Sequence, residues 1–183
     1  MKNYFKKVFK YVAVMKNIQK TLKKLDSTLS HVILSPVDRH ILLNYSLNHA
    51  GLFDSSYEDW NVKRINKILD IYDVDWFKGK KILELGGGHG DIGAFLANLG
   101  ADVLVLEGRR KNVNFAMLKH QRITNFTCRE FNLEENFSEF GKFDLIINFG
   151  LLYHLKNVDQ HLQYCFKNSD DMLLESVVCD SSD

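Results

Sequence analysis

The residue types able to do chemistry gather in one stretch, Glu84-Leu85-Gly86-Gly87-Gly88-His89-Gly90-Asp91-Ile92-Gly93, with a second acid, Glu107, beyond it. Glycines in such a cluster let backbone come close to a ligand, because no side chain stands in the way. Gly88-His89-Gly90-Asp91-Ile92-Gly93 fits the G-x-G-x-x-G pattern, and Glu107 falls where a ribose-binding acid would end a second strand. On that pattern alone NAD is a candidate ligand. Glu84 argues otherwise. A dinucleotide loop aims backbone N–H groups at a pyrophosphate from a helix N-terminus, and a carboxylate two residues before the first glycine opposes that anion.

The alternative is a nucleoside ligand without phosphate, whose tail carries an ammonium and a sulfonium. S-adenosylmethionine (SAM) has that chemistry and welcomes an acid. Glu84-x-Gly86-x-Gly88-x-Gly90 resembles the first motif of the class I SAM-dependent methyltransferases, and the resemblance runs from about Lys80 to Val178. It implies that Glu84, Gly86, Gly87, Gly88 and Gly90 wrap the methionine part and ribose. It implies also that Glu107 accepts both ribose hydroxyls, which a carboxylate can do with its two oxygens, and that Gly108 lets adenine lie against the chain. Arg109 reads as a local ion-pair or loop-ordering residue, with Asn112 opening the next helix. Where the family often has an aspartate after the third strand, this chain has Asn132, whose carbonyl can accept from the adenine amino group, with Leu133 against the ring. Glu130 stands only two residues away from that position.

The segment Phe143-Asp144-Leu145-Ile146-Ile147-Asn148-Phe149-Gly150-Leu151-Leu152-Tyr153-His154-Leu155 is similar to the family's fourth-strand region. Its Gly-Leu-Leu-Tyr-His-Leu ending recurs in methyltransferases of small molecules and of tRNA wobble uridines. By that resemblance Asn148 or Phe149 lines the cofactor near its methyl group. His154 is the candidate catalytic residue, placed to take a proton from an attacking hydroxyl or amine; the competing and preferred reading is a helix-start histidine bonded to backbone. The remaining histidines, including His120 and His161, lack metal-ligand spacing and read as surface or packing residues. No metal site is expected.

These residues need a scaffold, and the hydrophobic pattern supplies one. Apolar runs at Lys81–Leu85, Val103–Leu106, Ile123–Phe131, Phe143–Asn148 and Met172–Val178 read as strands. Helical patterns lie between them at Asp91–Leu99, stopped by Gly100, then at Arg109–His120 and Val158–Lys167. Strands apolar throughout and separated by helices indicate a parallel sheet covered on both faces. The expectation is an α/β, doubly wound, Rossmann-like sheet of about five strands in the order 3-2-1-4-5. It occupies residues 76–183, behind an N-terminal helical extension over residues 1–75. Within that extension, helices are expected at Val37–His49 and Asp59–Ile71, with a loop around Gly51–Ser56.

The 183 residues, 45% hydrophobic and 26% charged, suit one soluble domain with an extension. A formal net charge of +1 argues against a globally basic nucleic-acid binder, yet residues 1–25 hold eight lysines and no acid. That segment reads first as a surface helix with a solvated lysine face, and otherwise as a contact for anionic lipid or RNA phosphate. Three cysteines with no CxxC spacing fit a reducing compartment. No apolar run approaches the ~18 residues of a membrane span, so the expected setting is cytoplasmic. The expected activity is methyl transfer from SAM, with S-adenosylhomocysteine (SAH) as product, to a small-molecule acceptor, RNA being the second choice. A non-catalytic SAM-binding module and an NAD-dependent oxidoreductase are the alternatives. Met172–Val178 would leave an apolar sheet edge open, expected to be covered by a second copy or by the N-terminal helices.

Overall fold

A computed structural model describes residues 55–178. The lysine-rich segment 1–25, the helix expected at Val37–His49, most of the loop expected at Gly51–Ser56, and residues 179–183 lie outside the described residues. The chain divides into two units between Arg64 and Ile65, and the sheet belongs wholly to the second.

The first described helix, α1 (Ser55–Ile71), is followed by a 3-10 turn, Val74–Phe77. Then strands and helices alternate: β1 (Lys81–Leu85), α2 (Asp91–Asn98), β2 (Asp102–Glu107), α3 (Arg110–Lys119), β3 (Phe126–Glu130), β4 (Leu145–Phe149), α4 (Val158–Asn168) and β5 (Met172–Glu175). Two further 3-10 turns, Ser138–Phe140 and Leu152–His154, flank β4. The five strands form one sheet in the order β3-β2-β1-β4-β5, and every pairing is parallel. This is the architecture expected from the sequence.

Two apolar layers explain why each strand is apolar on both faces. Ile82, Val103, Val105, Leu145 and Ile147 pack with Ile92, Phe95 and Leu96 of α2, Ala116 of α3 and Ile68. Their strand neighbours Leu83, Leu85, Leu106 and Ile146 face the other way and pack with Cys165 of α4, Leu133, Phe137 and Leu151. Each fully buried aliphatic or aromatic side chain contributes about 1.5–3 kcal/mol, so this double-sided burial fixes the register of every strand.

Helix α2 ends where Gly100 predicts. Gly100, at φ 102°, donates to the Ala97 carbonyl at 3.0 Å, and Ala101 donates to the Leu96 carbonyl at 3.3 Å. Both bonds belong to the left-handed helix-stop motif, which disfavours a side chain at that position. The last strand is shorter than its apolar run. β5 stops at Glu175, because its partner β4 stops at Phe149 and Gly150 then donates to the Glu175 carbonyl. Among the described residues β5 pairs on one side only, and Leu174, Val177 and Val178 are exposed.

Chain order runs outward from β1 to β3 in one direction and from β4 to β5 in the other. The reversal lies between β1 and β4, and in open parallel sheets ligands bind outside the carboxyl ends of the strands at that point.

Candidate cofactor-binding site

The loop after β1 turns on three glycines with left-handed backbone, Gly86, Gly88 and Gly90, at φ 69°, 60° and 71°. Gly90 is the N-cap of α2, and having no side chain it cannot satisfy the first orphan N–H groups of the helix. Glu84 does this from the preceding strand. Its carboxylate, nearly fully buried, accepts from the Gly93 N–H at 2.9 Å. Cβ atoms built on Gly87 and Gly93 would come within 2.7 Å of that carboxylate, so both glycines are needed to seat it. The sequence reading placed Glu84 in contact with the ligand; in the structure its carboxylate accepts from the first turn of α2.

Glu107 ends β2 on the other side of the loop and is also buried. One carboxylate oxygen accepts from the Gly88 N–H at 2.9 Å. The other accepts from the Arg109 N–H at 3.0 Å and from the Asn112 side-chain amide at 3.2 Å. Arg109 therefore serves through its backbone, and the ion pair belongs to its neighbour, Arg110, 2.7 Å from Glu130. A Cβ on Gly108 would meet only the Phe131 carbonyl, at 3.8 Å. Burial pushes the Cys128 thiol up to about 12, with the charges of Glu84 and Glu107 adding to the effect.

Beneath the loop lies a second charged group. Lys119 and His120 at the end of α3 reach Asp91 in the first turn of α2, with the Lys119 ammonium in contact with Oδ1 and the His120 Nε2 3.4 Å from it. His120 Nε2 also lies 3.1 Å from the His89 carbonyl within the glycine turn. All three side chains are buried. Burial opposes ionisation of Asp91, but the Lys119 charge and the His120 contact outweigh it and hold the carboxyl well below the usual range. Burial pushes the His89 imidazole down to about 4. Sequence spacing pointed to none of this for His120.

The other expected site residues lie at the same end of the sheet. Phe131 donates to the Glu107 carbonyl at 3.0 Å, which sets the β3 loop beside β2. In that loop Asn132 is exposed, with its side chain bonded to the Glu134 N–H and the Glu135 carboxylate, while Leu133 is buried. Leu151, after β4, comes within 3.1 Å of a Cβ built on Gly86. Phe149 packs partly buried on the α2 side. Asn148, adjacent to it, points to the opposite face, is 0% exposed and bonds His161 of α4. Of the two residues expected near the methyl group, Phe149 alone keeps an open side. His154 ends the turn Leu152–His154 on the exposed rim, its ring 4.4 Å from that of Tyr153.

The donor set decides which ligand the cradle suits. The amides of Gly86, Gly88, Gly90 and Gly93 are taken by the Leu106 carbonyl, Glu107, the Gly87 carbonyl and Glu84 respectively. Two of those acceptors are carboxylates. A pyrophosphate needs such amides free and negative charge absent; a ribose beside a cationic tail needs neither. The residues fit SAM and disfavour NAD.

Gly90 is a stringent position in the loop. An alanine there would hold an unfavourable left-handed backbone and bring its Cβ to 2.6 Å from the Phe126 ring. Gly90→Ala is expected to lower stability by about 2–4 kcal/mol, combining the left-handed cost with overpacking, as read from urea denaturation.

Comparisons with known proteins bear on the same region. Residues 83–168 match the model of a family described as a methyltransferase domain. Among solved structures, the N-terminal domain of EvdMO1 with SAH bound aligns at 30% identity and a TM-score of 0.51, over 60% of this chain and 46% of that one. The full EvdMO1 structure aligns at 27% identity and a TM-score of 0.56, over 67% of this chain and 30% of that one. Coclaurine N-methyltransferase bound to N-methylheliamine and SAH is similar at 16% identity and a TM-score of 0.51, over 60% and 32% of the two chains, a likeness of fold alone. The chain thus spans less than half the length of these structures. A search of curated proteins found no match.

Proposed function

We propose, from the premise that this chain belongs to the methyltransferase-domain family through residues 83–168, that it binds SAM in the β1–β2 cradle and transfers its methyl group to an acceptor at the β4 rim. The observation that carries the reading is the Glu107 carboxylate, buried at the end of β2 and held against the Gly88 N–H. When bound, that cofactor supplies a methyl carbon on a sulfonium, a strong electrophile with a neutral leaving group.

The chain's residues then have separate tasks. Glu107 accepts the ribose hydroxyls, Gly108 and the β3 loop at Asn132 and Leu133 flank the adenine, and the loop from Gly86 to Gly90 carries the amino-acid tail. Glu84 holds that loop to α2, and Phe149 closes the cleft near the transferring methyl against water. Orientation and exclusion of water supply most of the acceleration in such a displacement. His154, on the rim, is assigned to receive the proton of an acceptor hydroxyl or amine.

A small molecule is the proposed acceptor, with RNA second. The rim around Tyr153 and His154 is exposed and carries no basic side chain in the turn Leu152–His154 except the histidine itself. The β5 edge, unpaired on one side among the described residues, is the surface assigned to self-association. No described helix is long and apolar enough to cross a membrane.

Calorimetry on the whole chain tests the premise. SAM and SAH are expected to bind and NAD to give no heat; NAD binding without SAM binding would overturn the reading. Release of SAH from SAM across acceptor classes then distinguishes transfer from binding alone.

A further inference from the structure

We propose that His161 is a positioning residue that locks the β3 loop to the end of β4, so that the two sides of the cofactor cleft move as one body; the inference rests on the reading above. Strands β3 and β4 are not neighbours, since β2 and β1 stand between them in the sheet. No ladder bond can therefore set one strand end relative to the other. The buried His161 of α4 bonds the loop after β3 at Leu133 and β4 itself at Asn148.

The geometry fixes the tautomer. His161 Nδ1 lies 2.9 Å from the Leu133 carbonyl, which can only accept, so Nδ1 carries the proton. Nε2 then keeps its lone pair and accepts from the Asn148 side-chain N–H at 2.9 Å. Burial holds the imidazole pKa below its ordinary value, against the opposing effects of the Leu133 carbonyl and Glu134, which favours this neutral form. Asn148 is fully buried, and its Oδ1 has no hydrogen-bond partner among the described residues. Its bond to His161 thus offsets much of the cost of burying an amide.

A second tie runs in parallel at the surface. The Glu134 carboxylate accepts from the Lys156 N–H at 2.6 Å and from the Asn157 N–H at 3.4 Å, and Asn157 in turn caps α4 through the Gln160 N–H. Both ties join the start of α4 to the loop that flanks the adenine, and His161 alone among them continues to the end of β4.

The test compares SAH binding to the whole chain for wild type, His161→Phe and Phe77→Leu, with thermal stability measured alongside. Phe77 is buried before β1, away from the cleft. Phe77→Leu is expected to lower stability and leave affinity unchanged. His161→Phe is expected to weaken SAH binding about tenfold, equal to about 1.4 kcal/mol. If wild type and His161→Phe bind equally, the positioning role is wrong while the functional reading stands; if wild type binds no SAH, the functional reading falls and this inference with it. Histidine 15N spectra of wild type supply a measurement that needs no variant. A protonated Nδ1 with a bare Nε2, both shifting on SAH addition, is expected. The opposite tautomer, or no shift in a protein that binds SAH, overturns the proposal.

Discussion

Glu107→Ala is expected to weaken binding of SAM and SAH by about 100-fold, equal to about 2.8 kcal/mol, as measured by calorimetry. The carboxylate would accept two ribose hydroxyls, and hydrogen bonds to a charged group are each worth about 1.5–3 kcal/mol. In the protein itself the same oxygens hold the Gly88 and Arg109 N–H groups and the Asn112 amide. Alanine therefore removes the ligand's acceptor and also releases the loop that shapes the cradle. Glu107→Gln keeps one acceptor oxygen at nearly the same volume, and its loss of affinity is expected to fall between those of alanine and wild type. Unchanged affinity in Glu107→Ala would assign Glu107 to the fold and not to the ligand.

Lys119→Met is expected to cost about 3–5 kcal/mol of stability at neutral pH, because it strips a buried carboxylate of its counter-ion. The Lys119 and Asp91 side chains are 2% and 10% exposed, so water cannot take the lysine's place without local opening. The double variant Asp91→Asn, Lys119→Met is expected to recover much of that loss, since neutralising both partners leaves no stranded charge. The sign of the pH effect follows from the lowered carboxyl of Asp91. In wild type its stabilising effect is complete above the unfolded carboxyl range near pH 4 and is lost as pH falls below it. Without Lys119 burial is less opposed and the carboxyl titrates higher, so the cost of Lys119→Met is expected to shrink on acidification. Urea denaturation from about pH 2 to pH 8 reads both effects. A cost independent of pH would remove the ion pair from the account.

The acid–Lys–His group and the glycine turn are physically continuous. His120 touches the His89 carbonyl within the turn, and Asp91 begins the helix that the turn launches. Loss of Lys119 should thus reach the cofactor loop through α2, in addition to weakening the fold.

Strand and helix positions were legible in the sequence because they depend on runs and periods within a few residues. β1 lies at Lys81–Leu85 and α2 begins at Asp91, and the strand order agrees with the doubly wound pattern. The loop's ligand class was legible too, because an acid before the glycines opposes a pyrophosphate wherever its side chain points. Element ends were less so. β3 begins at Phe126 and not at Ile123, and β5 ends at Glu175 and not at Val178, since pairing with the neighbouring strand sets where a strand ends.

Side-chain partners were not legible, because they come from residues far apart in the chain. Asn148 and Phe149 were equivalent in the sequence, yet adjacent strand residues face opposite ways, and the packing of α4 on one side buries Asn148 completely. His120 and His161 carry no local signal: their partners His89 and Leu133 lie 31 and 28 residues away. By itself the sequence determined that a glycine turn between two acids follows the first strand of a parallel sheet. Only the tertiary structure decided that Glu84 turns inward to hold α2, and that the buried His120 and His161 bond the His89 and Leu133 carbonyls. The physical reason is reach: pattern and charge act over neighbouring residues, while hydrogen bonds across the sheet ends exist only once the layers have packed.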